Sequence, residues 1–176
     1  MATYIILAIV VVVVLWVVGA FNGLVRARNR VKEAWSDINV QLRRRHDLIP
    51  NLVETVKGYV AHEAGVLEAV TKARTEAVAA GSLAQKGQAE NTLSGALGKL
   101  FALSEAYPTL KANENFMKLQ DELTDTEDKI QASRRFYNTN VMDFNTKLEV
   151  FPTNLIASSL GFSKEELFQL GSAEEA

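Results

Sequence analysis

Three features of this 176-residue chain predict an all-α protein: an N-terminal transmembrane helix followed by an elongated antiparallel helical bundle with long, coiled-coil-like helices. Residues 2–21, ATYIILAIVVVVVLWVVGAF, carry neither a charge nor a proline. From Leu24 onward, apolar side chains recur every seven residues over long distances, the mark of a sustained helical seam. Outside the valine-rich opening no strand-like alternation of any length appears, and the length and flanks of that opening suit a membrane helix. The expected division is an anchor at 1–21, a helical bundle at 22–152, and short C-terminal helical segments with an acidic tail at 153–176.

The anchor follows from length. At about 1.5 Å per residue the apolar stretch covers roughly 30 Å, the thickness of a bilayer's hydrocarbon core. No Lys or Arg precedes it, and it is too long for the apolar part of a typical signal peptide; Val18 and Ala20 offer a weak cleavage site as the alternative, and a retained anchor is expected. Tyr4 and Trp16 lie toward its ends, where aromatic rings favour the interface. Arg26, Arg28, Arg30 and Lys32 follow it, opposed nearby only by Glu33; the positive-inside rule slightly favours the helical domain on the cytoplasmic side, and these residues suit anionic headgroups. The far end is acidic, with Glu165, Glu166, Glu174 and Glu175 against Lys164. The net charge of −2 gives no reason to expect nucleic-acid binding. The absence of cysteine removes disulfides, thiolate nucleophiles and lipoprotein-type modification.

The first seam has two rows. Leu24, Val31, Ile38, Arg45, Leu52, Tyr59, Val66 and Ala73 form one; Arg28, Trp35, Leu42, Ile49, Val56, Glu63, Val70 and Ala77 form the other. Their common phase survives Pro50 and Gly58, which favours one long helix kinked near Pro50 over two helices joined by a tight loop. The small residues and glycines of 79–91 predict a connector. A further helix then carries Leu93, Leu97, Leu100 and either Ser104 or Tyr107 inward and ends at Pro108. The next begins near Asn113, an N-cap followed by Glu114. It places Phe116, Leu123, Ile130, Tyr137, Phe144 and Phe151 in its core row, beside a row (Leu119, Thr126, Ser133, Asn140, Lys147) that turns polar, and Pro152 closes it. Gly161 is expected to stop a short helical piece, and Ser163 with Glu166 to cap a last turn carrying Leu167, Phe168 and Leu170.

No catalytic constellation is recognisable. His46 and His62 are the two histidines, and His62-Glu63 lacks the second histidine of a zinc-protease helix. No phosphate-binding glycine loop or nucleophile elbow occurs, and no metal site or cofactor is expected. Asp121, Glu122, Asp125, Glu127 and Asp128 lack calcium-loop spacing and predict a solvated face. Two polar groups stand out instead: Arg43, Arg44, Arg45, His46, Asp47 and Asn51 around Pro50, and Tyr137, Asn138, Asn140 and Asn145 among aromatics. They are candidates for partner or ligand binding. The plainer alternative is a satisfied polar layer that fixes helix register, because buried polar groups must find partners; Arg43 and Arg44 are better placed on a solvated or lipid-facing surface.

Phe21-Asn22 after the span, VKEAWSDINVQLRRRHDLIPNLVETVKGYVAHE and AYPTLKANENFMKLQDELTDTEDKIQASRRFYNTNV together resemble the LemA family of bacterial proteins, from about residue 21 to 170. The resemblance implies a single-span or lipid-anchored helical bundle and does not imply an enzyme. Some members are associated with magnetosome membranes, which implies a role in organising a membrane compartment. Many carry a lipoprotein-type cysteine just before a tyrosine–asparagine pair, which would place the domain outside the cytoplasm; Gly19-Ala20-Phe21-Asn22 holds none.

The functional expectation is therefore a non-enzymatic membrane scaffold that forms homo-oligomers, with the bilayer and other membrane proteins as partners. Its motive is that two heptad-patterned helices, with Phe162, Leu167, Phe168 and Leu170 beyond them, offer more apolar stripe than a slender bundle hides. The alternative is a tethered sensor or adaptor that binds a peptide or small anionic ligand at the polar groups.

Overall fold

The computed structural model describes residues 1–60 and 63–169; His62, Leu170, Gly171, Ser172 and the acidic Glu174 and Glu175 lie outside the described residues. The chain is all-α: α1 (Ala2–Lys57), α2 (Ala64–Ala79), α3 (Leu83–Ser104), the short α4 (Pro108–Lys111) and α5 (Glu114–Glu149), then a 3-10 turn at Thr153–Leu155. Two compact units are distinguished, one of Met1–Ser36 with Arg135–Leu167, the other of Asp37–Arg134 with the segment from Phe168 onward. Both α1 and α5 contribute to each unit.

In the first unit α1 emerges from its apolar stretch, where Ile5, Val12 and Leu15 are more than half exposed, and buries Leu24, Ala27, Val31 and Ala34. Leu24 and Val31 keep the first expected row, whereas the second is displaced here: Arg28 and Trp35 are only partly buried and Ala27 and Ala34 are buried instead. An α-helix turns every 3.6 residues rather than 3.5, so the strict seven-residue row drifts off the face and the preceding alanines take its place. Trp35 stands at the edge with its ring centroid 5.5 Å from that of Tyr137. Tyr137, Val141, Phe144 and Leu148 supply the α5 side of this core. Phe151, expected in the same row, is 78% exposed, because α5 ends at Glu149 and no helix carries the row further.

The segment after α5 takes its shape from side chains. Gly161, at φ +76°, stops the turn series: Phe162 N–H bonds the Ala157 carbonyl and Gly161 N–H bonds that of Ser158, the Schellman pattern. The turn expected from Ser163 and Glu166 does not form. Asn145 instead donates to the Glu165 carbonyl at 2.9 Å and accepts from its N–H at 3.0 Å, while the Tyr137 hydroxyl donates to the Glu166 carbonyl at 2.9 Å. These bonds take the backbone groups a helix would use. Phe162 is buried, its ring centroid 6.4 Å from that of Phe144 and 5.7 Å from that of Phe21.

In the second unit α1 buries Ile38 and Leu42 and packs Ile49, Leu52 and Val56 in one core with Val70, Ala73 and Ala77 of α2, Leu93, Leu97 and Leu100 of α3, and Phe116 and Leu123 of α5. The break in the first seam falls after Lys57, not at Pro50. Beyond it the core positions are Val60 and Leu67; Tyr59, Glu63 and Val66, expected in the rows, are exposed or half-buried. The turn moves the inward positions by one residue at Val60 and Leu67, and the expected rows resume at Val70, Ala73 and Ala77. The 79–91 connector is likewise shorter than expected, because Ser82 and Gln85 form a reciprocal capping box that starts α3 at Leu83. Ser104 points inward, Tyr107 only partly, and Pro108 opens α4 rather than merely closing α3. Asn113 accepts the Phe116 N–H at 2.9 Å, capping α5 as expected, and also donates to the Tyr59 hydroxyl at 2.9 Å. Gly87 is buried where the Phe168–Gln169 backbone passes: a Cβ there would collide with the Gln169 carbonyl. So Phe168 is fully buried core rather than part of an exposed apolar surface, and of the four residues expected to form one, only Leu167 is exposed among those described.

Helical continuity through Pro50 has a visible cause. Proline has no N–H for the carbonyl four residues back, that of His46. Arg74 of α2 supplies the missing donor, its Nε 2.7 Å from that oxygen. Arg74→Ala is therefore expected to cost about 1–3 kcal/mol through the orphaned carbonyl. In a Pro50→Ala background, where a backbone N–H returns, most of that loss should vanish. Urea unfolding of the four proteins of this double-mutant cycle in detergent measures the coupling; strictly additive effects would rule out the compensation.

Candidate functional site

The residues N-terminal to Pro50 build a charged layer inside the second unit. Helical spacing turns Arg45 and His46 inward between Leu42 and Ile49, and both are buried. Facing them on α3 is Glu90, only 1% exposed. Its carboxylate receives Arg45 Nη1 at 3.3 Å on one oxygen and meets His46 Nε2 at 2.7 Å on the other. Arg45 also donates to Ser94 Oγ at 2.7 Å and pairs with Glu127 of α5 at 3.1 Å. One guanidinium thus joins three helices. Burying a carboxylate this completely is tolerable only with partners of this kind.

The expected group divides around this layer. Arg45 and His46 belong to it. Arg43, Arg44, Asp47 and Asn51 are exposed, the turn of the helix carrying them outward. Arg44 makes a loose ion pair with Asp125 at 3.9 Å. A hydrogen bond from Lys129, reinforced by the charges of Lys129 and Arg44, holds the Asp125 carboxyl below its usual range. Glu127, assigned from sequence to a solvated acidic face, is half-buried on Arg45. Glu90 was hidden in the presumed connector; its one signal was its place three residues before Leu93, on the inward face of α3.

The asparagine group lies in the first unit and does not form one site. Asn145 and Tyr137 hold the backbone at Glu165 and Glu166. Asn140 bonds the Phe136 carbonyl of its own helix at 2.8 Å. Asn138 is half-buried and has a partner of its own. Of the basic residues flanking the span, Arg26, Arg30 and Lys32 are exposed, whereas Arg28 is half-buried with its guanidinium carbon 5.0 Å from the Phe162 ring centroid.

Two clefts open on the charged layer. One of about 300 Å³ is lined by Asn39, Arg43, His46, Lys86 and Glu90 among others. The second, about 310 Å³, reaches Arg45, Ser94, Phe101 and Glu127. Among the described residues no three His, Asp or Glu side chains converge as metal ligands.

The layer carries a stability prediction. Arg45→Ala leaves Glu90 buried beside an unbalanced Glu127 and should cost about 3–5 kcal/mol, whereas exposed Arg43→Ala should stay within about 0.5 kcal/mol. Combining Arg45→Met with Glu90→Gln should recover part of the loss, as measured by denaturant midpoints. Tyr137 carries a pH prediction. Burial, then the charges of Glu165 and Glu166, raise its hydroxyl above the ordinary tyrosine range. A phenol raised in the folded state contributes stability that is whole below its unfolded value near 10 and is lost as pH climbs through the folded value. Tyr137→Phe should flatten this alkaline loss and, at neutral pH, cost about 1 kcal/mol for the bond to Glu166; thermal melts across pH 8–12 read both.

Residues 34–176 match the model of the LemA family. The chain is 30% identical to the protein LemA of Metamycoplasma hominis, an alignment covering 89% of this chain and 72% of that protein. It is 27% identical to magnetosome protein MamQ 2 of Paramagnetospirillum magneticum over 85% of this chain and 64% of that protein. Magnetosome protein MamQ of Magnetospirillum gryphiswaldense is 26% identical over 84% of this chain and 64% of its own length. The chain thus spans a little under two thirds of these magnetosome relatives. Among the described helices α1 is the one long and apolar enough to cross a membrane. This chain is a membrane-associated, all-α member of the LemA family.

Proposed function

We propose that this protein is a non-enzymatic scaffold that organises a membrane site, anchored by the span at 2–21 and self-associating there. One observation carries the proposal: the apolar span and the helical pack around Trp35, Tyr137 and Phe144 form a single unit, joined by uninterrupted helix with no linker. A tether for an enzyme ordinarily needs reach, and flexible linkers supply it; here the bilayer segment and the folded body are one piece. The names of the magnetosome relatives support a membrane-compartment role by analogy.

The means of self-association differs from the one the heptads suggested. The seam lies inside the chain, with Ile38, Leu52, Phe116 and Ile130 at most 1% exposed. The longest apolar run left open to a second copy is the span. Gly19 and Gly23 stand four residues apart at its end, and a Cβ at either would meet nothing within 4 Å. Nothing in the chain itself demands glycine there, whereas small residues at this spacing let two membrane helices approach closely.

Light scattering of the full-length protein in mild detergent should show a uniform particle larger than the 19.4 kDa chain, and Gly19→Leu with Gly23→Leu should reduce it to the monomer. A lone wild-type monomer would sink the self-association reading. It would favour a tethered adaptor, for which the two clefts of about 300 and 310 Å³ on the Arg45–Glu90 layer are the supporting observation.

A further inference from the structure

Residues 150–163, VFPTNLIASSLGFS, contain no charged side chain in a protein that is 23% charged. Within this stretch Val150, Phe151 and Leu155 are 47%, 78% and 67% exposed. A lone exposed apolar residue needs no explanation; three large ones within six positions at the tip of a turn are a patch.

The level of that patch follows from pairing within the first unit. Trp35 of α1 meets Tyr137 of α5. Farther along α5, Phe144 meets Phe162, which also lies under Arg28 and beside Phe21, earlier in α1. The two helices therefore run antiparallel, and a step toward the C-terminus of α5 is a step toward the apolar span. Fourteen residues back from Trp35 is Phe21, the last residue of the span; fourteen on from Tyr137 is Phe151. At about 1.5 Å per residue the α1 path covers roughly 21 Å and the helical part of the α5 path, Tyr137 to Glu149, roughly 18 Å, with Phe151 two residues past that end. The uncharged tip thus stands near the level at which the membrane helix ends.

Its backbone suits that place. The N–H groups of Val150, Asn154, Leu155, Ile156 and Ala157 are all bonded to carbonyls of the same segment or of the last turn of α5. Such a turn can leave bulk water with few unmet donors. Arg26, exposed on α1 five residues or about 7.5 Å past Phe21, falls where headgroups would lie if the span ends at Phe21, and exposed Arg30 follows one turn farther out.

We infer that the tip at Val150, Phe151 and Leu155 is a second membrane contact, dipping into the interfacial region of the same bilayer that the span crosses. It rests on the reading of residues 2–21 as a membrane span. A span alone lets the body tilt and swivel about one helix; a second contact fixes which side of α1 faces the lipid surface.

The chain has no cysteine, so single environment-sensitive labels can be placed cleanly. Val10→Cys, Phe136→Cys, Phe151→Cys and Leu155→Cys, each coupled to a nitrobenzoxadiazole dye, are reconstituted as full-length protein into phosphatidylcholine–phosphatidylglycerol vesicles with or without spin-labelled lipids. Circular dichroism checks that each remains helical. The expected result is a blue-shifted emission at 151 and 155 that shallow lipid quenchers diminish, deep quenching at 10, and neither effect at Phe136, which is also exposed but higher on α5. Quenching at 10 with none at 151 and 155 overturns the second contact while the span stands. Failure of quenching at 10 overturns both. Dye self-quenching at 151 without lipid quenching overturns it in favour of a second copy of the chain covering the tip.

Discussion

Pro50 withdraws a hydrogen bond from the turn of α1 that also carries the buried charges, and the helices of the second unit are tied together around that turn. The carbonyl left open belongs to His46, and Arg74 of α2 closes it. The same turn presents Arg45 and His46 to Glu90 of α3 and Glu127 of α5. Three other helices are thus tied to a single turn of α1 by directional bonds. Apolar seams alone tolerate sliding by a heptad, because one leucine fits much like the next; a guanidinium that must meet two carboxylates and a hydroxyl tolerates far less. Replacing buried ions by apolar residues is often no loss in stability, so the value of this layer lies in register and in the uninterrupted helix across the proline.

Where packing follows helical period, the sequence was readable. Phe116, Leu123, Ile130, Tyr137 and Phe144 were expected in the core row of α5 and are buried there, and Leu93, Leu97 and Leu100 likewise in α3. Asn113 and Gly161 were readable because capping and left-handed backbone are local chemistry. The misreadings share a cause: a local pattern met a nonlocal competitor. Ser163 and Glu166 have the spacing of a capping box, yet Asn145, from another helix, takes the backbone of Glu165. The small residues of 79–91 look like a connector, yet Gly87 is small because the Phe168–Gln169 backbone passes over it.

The candidate site shows the same division more sharply. Arg45 was identifiable as a charge in an apolar row, and the sequence demanded a partner for it without naming one. Glu90 could not be singled out, because periodicity locates a face and not the residue opposite it. The outward Arg43, Arg44, Asp47 and Asn51 were grouped with Arg45 by proximity in sequence; a rotation of about 100° per residue separates them in space. Asn140 and Asn145 likewise serve separate backbone groups, at Phe136 and Glu165, instead of one pocket.

The buried seam changes what the exposed apolar surface means. Had the stripes of α1 and α5 lain open, a protein partner would have been the natural cover. They are closed within the chain, and the large apolar side chains still exposed are concentrated in most of the span and the uncharged tip after α5, with single ones such as Val40, Phe136 and Met142 elsewhere. Within the first unit both lie toward the same end, since Phe162 joins Phe21 to Phe144. Apolar surface gathered at one end beside a helix of bilayer length calls first for lipid, whose acyl chains solvate valine and phenylalanine without specific fit. Protein contacts must then work through features that lipid does not satisfy: close backbone approach at Gly19 and Gly23, or the polar clefts around Glu90. For a scaffold this is a sensible division, in which burial in the membrane sets position and a small number of specific contacts sets company.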